Sequence, residues 1–140
     1  MRPLAPPDWP SIAALDRRAF GADRSRLLAS LACNGRASLV FESQEGVTGF
    51  GMIRAGSRAD YLGPLVAASA GAATALAQSL FADARAGVFW DIPDRNAAAV
   101  GLAERLGFRP QRPLYRMFLG DQRSAGDPLL VAAIADPATG

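Results

Sequence analysis

Apolar residues in the first part of the chain recur at the three-to-four-residue spacing of a helix. In PPDWPSIAALDRRAF, one stripe is formed by Ile12, Leu15 and Ala19. The prolines and Asp8 stand before this stripe, as is typical of a helix start. A run of leucines at similar spacing follows in the next segment. The predicted helices cover residues 6–20 and 23–34.

Alternating apolar and polar positions then predict extended structure. Two runs, ASLVFES and VTGFGMIR, are joined by a short Gly-bearing connection typical of a β-hairpin. A third run, DYLGPLVA, is interrupted by Gly63 and Pro64. Because Pro cannot donate to a sheet ladder, this pair indicates a bulge or a place where a neighbouring strand has parted. The predicted strands are 2–4, 37–43, 47–54 and 60–67.

The second half of the chain continues with alternating helices and strands. SAGAATALAQSLFADARAG predicts an Ala-rich helix, VFWDIP a buried strand, and DRNAAAVGLAERLG a further helix. The inward face of this last helix is predicted to carry Ala99, Leu102, Ala103 and Leu106. Two extended runs, 108–112 and 114–119, are expected to form an antiparallel pair, and LLVAAIA is the last apolar strand. This order predicts one α/β layered domain over residues 1–140.

The amino-acid composition limits the kinds of catalytic, metal and nucleic-acid site that the chain can have. The chain has 140 residues, half of them hydrophobic, which suffices for a single core. It contains no His, which excludes a Ser-His-Asp or Cys-His catalytic unit and argues against a zinc or iron site, so we expect no metal. The 15 basic residues are all Arg, exceed the 13 acidic residues by only two, and are scattered. We therefore expect no nucleic-acid partner.

Cysteine content and the apolar runs indicate the compartment. Cys33 is the single cysteine, so no internal disulfide can form and a reducing environment is expected. The opening MRPLAPPDWP has no apolar core of a signal peptide, and no apolar run reaches transmembrane length. We expect a cytoplasmic protein without a membrane partner.

The stretch DRNAAAVGLAERLGFRP combines an Asn at a helix start with Gly-Phe after the last turn. Asn96, Ala99, Leu102, Gly107 and Phe108 stand at the spacing of the late motif of the GNAT superfamily of N-acetyltransferases, which the chain resembles in element order. The segments DRRAFGADRSRLL, LGPLVA, FWDIPDRN and YRMFLG resemble the second, C-terminal GNAT-like domain of tandem GNAT proteins. The resemblance implies a GNAT-like (acyl-CoA N-acyltransferase) α/β fold, with a mixed central sheet, splayed parallel strands and flanking helices.

The resemblance also implies acetyl-CoA as co-substrate. In the family, the pantetheine arm of coenzyme A lies between two parting parallel strands and pairs with their exposed backbone groups. Here the parting strands would be DYLGPLVA and VFWDIP. The alternative for Asn96 is a plain helix N-cap. The cofactor-binding residues that the resemblance implies are Leu65, Val66, Ala67, Gly71, Ala72 and Asn96.

Two departures from the family pattern concern the loop that binds the pyrophosphate of the cofactor and the Tyr that donates a proton. The pyrophosphate loop of the family is replaced by VAASAGAATALA, which has one glycine and no preceding Arg or Gln, so an ordinary Ser69-capped helix is the alternative. The usual Tyr after the motif Leu is replaced by Ala103. Tyr115 is then the candidate acid, with Tyr61 as a further one. Each has the alternative of a packing aromatic.

A base would remove a proton from the acceptor ammonium. Asp91 is the first candidate because it lies in an apolar strand beside the expected gap, and the alternative is structural pairing with an Arg such as Arg116. Asp60 and Glu42 are weaker candidates.

Arginines in the first two helices allow two interpretations. They could receive an anionic acceptor, or they could form a solvated helix face beside Asp16 and Asp23. The residues concerned are Arg17, Arg18, Arg24 and Arg26.

Two functions follow from these patterns. The first is an acetyl-CoA-dependent N-acetyltransferase that acts on the amine of a small molecule or peptide. The second is a catalytically degenerate GNAT-fold module with a binding, regulatory or assembly role. The apolar strand LLVAAIA, if it lies at a sheet edge, also favours a homodimer.

Overall fold

The computed structural model describes residues 1–85, 87–115, 117, 119 and 126–138. Helices and strands alternate along the chain much as the hydrophobic pattern predicts. Short 3₁₀ turns at Pro6–Asp8 and Pro128–Leu130 precede α1 and β6. The elements are β1 (Arg2–Pro3), α1 (Trp9–Phe20), α2 (Ser25–Asn34), β2 (Ala37–Ser43), β3 (Gly46–Arg54), β4 (Asp60–Ala67), α3 (Ala70–Ala82), β5 (Val88–Trp90), α4 (Ala97–Arg105) and β6 (Val131–Ala133).

The six strands form one mixed sheet. Its order is β1-β2-β3-β4-β5, and β6 pairs with β4. The β4–β5 pair is parallel, and the other pairs are antiparallel. Helices cover both faces, so the predicted fold class is confirmed.

The alternation of side chains along the strands divides the core into two layers. On one face, Ile12 of α1 and Leu28 of α2 pack with Phe50 and Val66. On the other face, Leu76 of α3 packs with residues of β4 and α4, among them Leu65 and Leu102. Successive residues of β4 therefore face opposite layers, as the period of a strand requires, and all of β4 is buried.

Strand β4 changes its neighbour at Gly63 and Pro64. Residues before this pair face β5, while those after it face β6. The register between β3 and β4 also shifts there, because Gly51 lies opposite Leu65 and Ile53 opposite Leu62. The predicted bulge and parting of strands are both present at this point.

The position of the last strand bears on the homodimer. LLVAAIA was considered as a possible edge strand, and β6 pairs with β4 while Trp90 and Asp91 hydrogen-bond to Ala132 and Ile134 from its other side. Its small residues Ala132 and Ala133 are 2% and 0% exposed, which lets it fit between covered strands. The outer side of this strand is therefore engaged within the chain, and a homodimer stays a prediction.

The region after α4 differs from the prediction in two further ways. Leu106 is 36% exposed, because α4 ends at Arg105 and the inward stripe does not continue. Residues 108–112 form no strand, and part of the run 114–119 lies outside the described residues. Phe108 instead packs against the rings of Phe81 and Trp90, with centroids 5.4 and 5.3 Å away. Pro110 also lacks the N–H that a ladder needs.

Candidate functional site

Strands β4 and β5 part as a V after three paired positions. Asp60, Tyr61 and Leu62 pair with Val88, Phe89 and Trp90, and beyond Leu62 the two strands separate. This gap is the place where the family resemblance implies a cofactor.

The chain itself fills the gap. On the β4 side, Leu65 lies opposite Ala133 and Val66 opposite Val131. On the opposite side, the indole Nε1 of Trp90 donates to the carbonyl of Ala132 over 2.8 Å. The Ile134 N–H donates to the carbonyl of Asp91 over 3.0 Å. Segment 127–135 is thus hydrogen-bonded to both arms of the V.

Asn96 is both a helix cap and a clamp on this segment. Its side-chain oxygen accepts from the N–H of Ala99 over 3.1 Å, which caps α4. Its Nδ2 donates to the carbonyls of Leu129 and Val131, both at 2.9 Å. The residue is buried, so the oxygen and both amide protons are engaged inside the chain.

The start of α3 has the geometry of an ordinary capped helix. Ser69 Oγ accepts from the N–H of Ala72 over 3.2 Å, while Gly71 is exposed. A cavity of about 340 Å³ lies between this helix start and the start of α4. Ser69, Asn96 and Arg105 contribute to its wall. The Ser69-capped alternative therefore describes this region.

Asp91 faces a second, larger cavity together with Tyr61. The Tyr61 hydroxyl donates to Asp91 Oδ2 over 2.8 Å. Burial and this hydrogen bond raise the pKa of Tyr61 well above its usual range. A phenol that holds its proton so firmly is a poor acid, so Tyr61 is weakened as a proton donor. The cavity has a volume of about 1040 Å³ and extends along the outer side of β5 to Phe108.

Arg54 closes one side of this cavity. Its guanidinium lies 4.2 Å from the centroid of the Tyr61 ring. It donates to the carbonyls of Gly63 and Ala135 and pairs with Asp136 at 2.8 Å. Arg54 thereby fixes the residues that follow β6 against β4.

The other candidate acids and bases lie apart from the gap or have structural partners. The Tyr115 side chain is 84% exposed. Asp60 is 1% exposed and accepts from Arg36 Nε and from the backbone N–H of Arg85. The exposed carboxylate of Glu42 accepts from Arg2 at the far edge of the sheet. Arg116, the alternative partner for Asp91, lies outside the described residues.

The arginines of the first two helices have acidic neighbours. Arg24 pairs with Asp16 at 2.8 Å, and both side chains are buried. Arg17 pairs with Asp23 at 3.4 Å on the surface. The structure thus provides local partners for two of these arginines, and the interpretation as a helix face with acidic neighbours describes them.

The comparison with protein families decides the classification. The model of the acetyltransferase (GNAT) domain matches residues 12–128, which is most of the chain. The chain belongs to the GNAT acetyltransferase family.

A solved structure supports the fold of this GNAT domain. The 2.25 Å crystal structure of a presumed acetyltransferase from Pyrococcus horikoshii matches it with a TM-score of 0.71 and 24% identity. The match covers 97% of this chain and 44% of that one, so the GNAT domain spans less than half of that protein. No curated protein matches the chain.

Two kinds of site are absent from the described residues. In that part of the GNAT domain, the helices are too short or too polar to span a bilayer. Nor do three or more His, Cys, Asp or Glu side chains gather there as metal ligands.

Acetyl-CoA, which GNAT domains generally use, does not fit the described arrangement. The pantetheine arm would need the backbone edge of Leu65 and Val66, and β6 occupies that edge. It would also need Asn96, whose amide protons are given to the segment. Ala67 pairs with Gly49 of β3. The assignment of Leu65, Val66, Ala67, Gly71, Ala72 and Asn96 to a cofactor stays a prediction.

Sequence reasoning missed the role of segment 127–135. One signal for it was present in Gly63: a Cβ atom there would lie 2.0 Å from the carbonyl oxygen of Ile134. Only a glycine allows the segment to approach β4 so closely. The sequence pattern indicated a parted strand at Gly63 but not what fills the space.

Proposed function

We propose that this GNAT domain is a binding or assembly module that does not transfer acetyl groups through the β4–β5 gap. The observation that carries the proposal is the position of β6, which pairs with β4 inside the gap. Backbone hydrogen bonds that a cofactor would make are already made within the chain. A bound cofactor would have to break them and displace buried side chains such as Val131.

Three features of the site's chemistry support this proposal. Ala103 is buried and has no proton to donate where the family usually has a Tyr. The start of α3 is capped by Ser69, without an arginine or a glycine-rich loop before it. The Tyr61 hydroxyl is held by Asp91. The usual proton donor, the phosphate-binding loop and the replacement donor Tyr61 are thus each altered.

The wild-type domain should show no thermal shift with millimolar acetyl-CoA. A ligand at a hundred times its dissociation constant would stabilise the fold by about 2.7 kcal/mol, which such a measurement detects easily. An acetyltransferase that binds acetyl-CoA, measured in the same buffer, serves as the positive control. A saturable upward shift for the wild-type domain would contradict the proposal.

A second candidate function is an acetyl-CoA-dependent N-acetyltransferase acting in the cytoplasm on a small-molecule or peptide amine. The observation that favours it is the Asp91 carboxylate at the wall of the large cavity, in a family of acetyltransferases. Release of free thiol from acetyl-CoA with a panel of amines tests this function. Turnover that Asp91→Asn abolishes would establish it in place of the first.

The free side of β5 is the surface we propose for assembly. In the part of the chain that the structure describes, β5 pairs only with β4, so its outer edge is open. Phe89 at the centre of β5 is 44% exposed, and Leu114 beside the same cavity is 43% exposed. An open strand edge with exposed apolar side chains favours pairing with another polypeptide. A second copy of the chain is the partner that we propose.

Replacement of Phe89 by Lys should abolish this association. Light scattering coupled to gel filtration is expected to give twice the chain mass of 14.6 kDa for the wild type and the single mass for the variant. The added charge would be desolvated at the paired edge, which is unfavourable. Leu129→Lys is the matched control, because Leu129 is 64% exposed at the smaller cavity, away from β5. A monomeric wild type would refute the homodimer.

A further inference from the structure

We infer that segment 127–135 is an internal occupant of the acyl-CoA slot, so that acyl-CoA and this segment exclude one another. Release of the segment would then uncover a slot that still accepts the pantetheine arm. The inference rests on the proposed function in one respect, because it takes the slot of the wild-type chain to be closed.

The segment makes the kind of contacts that an extended ligand makes in a parted sheet. It adds to the edge of β4 and receives hydrogen bonds from the opposite arm and from the helix cap. Any extended chain that carries amide groups can hydrogen-bond to a strand edge in this way. Both a peptide and the pantetheine arm are such chains. Asn96 supplies both of its amide protons to carbonyl groups of the segment.

Two cavities meet the segment from opposite sides. The smaller cavity, at the starts of α3 and α4, is lined by Leu129, Leu130 and Ala132. The larger cavity is lined by Trp90 and Asp91, which hydrogen-bond to the segment, and by Asp136, the residue directly after it. The segment therefore lies between the two linings. Its withdrawal would join the two cavities into one passage, from the helix starts to the Asp91 carboxylate.

The attachments of the segment suggest how it could be released without altering the slot. Val131 and Ala133 are 9% and 0% exposed and face the two core layers. A longer polar side chain at either position cannot be buried without cost, so it favours a displaced segment. Leu129 is 64% exposed on the same segment and tolerates the same change. None of these side chains belongs to the predicted cofactor site.

The experiment compares Val131→Gln and Ala133→Gln with the control Leu129→Gln. Calorimetric titration with acetyl-CoA should show binding about tenfold tighter or more for the two release variants than for the control, since the apparent affinity rises with the open fraction. Adenosine 3′,5′-bisphosphate, which lacks the pantetheine arm, should show no such gain. Amide hydrogen exchange over 130–135 should be faster in the release variants, and circular dichroism with thermal unfolding reports whether they are folded.

Each outcome has a definite meaning. Folded release variants with faster exchange and no gain in acetyl-CoA affinity would overturn the inference and leave the proposed function intact. Loss of cooperative unfolding in both variants would overturn it as well, because the segment would then be an inseparable part of the core. The wild type could instead bind acetyl-CoA tightly, with faster amide exchange over 130–135 in the bound state than in the free state. That result would support the inference but remove the proposed function. Equal gains for acetyl-CoA and the bisphosphate would place binding outside the slot and refute the inference.

Discussion

Asn96→Ala is expected to lower the free energy of unfolding by about 2–4 kcal/mol. The side chain caps α4 through Ala99 and donates to the carbonyls of Leu129 and Val131. Removal leaves the carbonyl of Val131 without this donor in the interior, and each unsatisfied buried group costs about 1–3 kcal/mol. Urea denaturation followed by circular dichroism measures the change.

Ser69→Ala is the matched control for Asn96, because the Ser69 hydroxyl caps α3 by accepting from the N–H of Ala72 and, within the described part of the chain, holds no second segment. Loss of such a cap costs about 1 kcal/mol. Asn96→Asp keeps the acceptor for Ala99 but cannot donate, so it should be nearly as destabilising as Asn96→Ala. Equal small losses for Asn96→Ala and Ser69→Ala would show that the clamp contributes nothing beyond the cap.

Asp16→Ala should destabilise the fold by about 3–5 kcal/mol, the range for a buried ion pair that loses one partner. Asp16 and Arg24 are 1% and 7% exposed in their side chains and form two hydrogen bonds. The guanidinium also lies 3.7 Å from the centroid of the Phe20 ring. Without Asp16, the charge of Arg24 would stay buried without its carboxylate. Thermal or urea unfolding at neutral pH measures the loss.

Arg17→Ala provides the control for this pair. Arg17 and Asp23 are 64% and 60% exposed, and exposed pairs contribute little, about 0–1 kcal/mol. The double variant Asp16→Ala with Arg24→Ala should recover part of the loss, since the buried guanidinium is then removed together with its carboxylate partner. A change below about 1 kcal/mol for Asp16→Ala would contradict the assignment of a strong buried pair.

Local patterns predicted the elements and one feature of the site. The period of apolar residues gave α1 through Ile12 and Leu15, and β4 through its apolar run, because each element buries one face or both. The Gly63–Pro64 pair marked the point where β4 changes its neighbour, since Pro lacks a donor. For Asn96, the alternatives were a plain helix N-cap and, from the family resemblance, a hydrogen bond to the cofactor, and the structure shows the cap on Ala99.

Contacts between distant residues were beyond this reasoning. Tyr61 and Asp91 are 30 positions apart, and their hydrogen bond depends on the parallel register of β4 and β5. The sequence LLVAAIA shows that β6 is apolar, but it does not show with which strand β6 pairs. A position at the outer edge of the sheet and a position in the β4–β5 gap were therefore equally consistent with it. Small residues such as Ala132 and Ala133 suit the narrower place.

The insertion of β6 beside β4 has a consequence for biosynthesis. The sheet edge at Val66 is covered only after Val131, 65 positions later in the chain, has been synthesised. During translation, most of the domain will have left the ribosome while that edge is still bare. Such late closure slows folding and exposes the nascent chain to aggregation. A ribosome-stalled chain in which residues up to 125 have emerged should therefore recruit chaperones more strongly than one in which residues up to 138 have emerged.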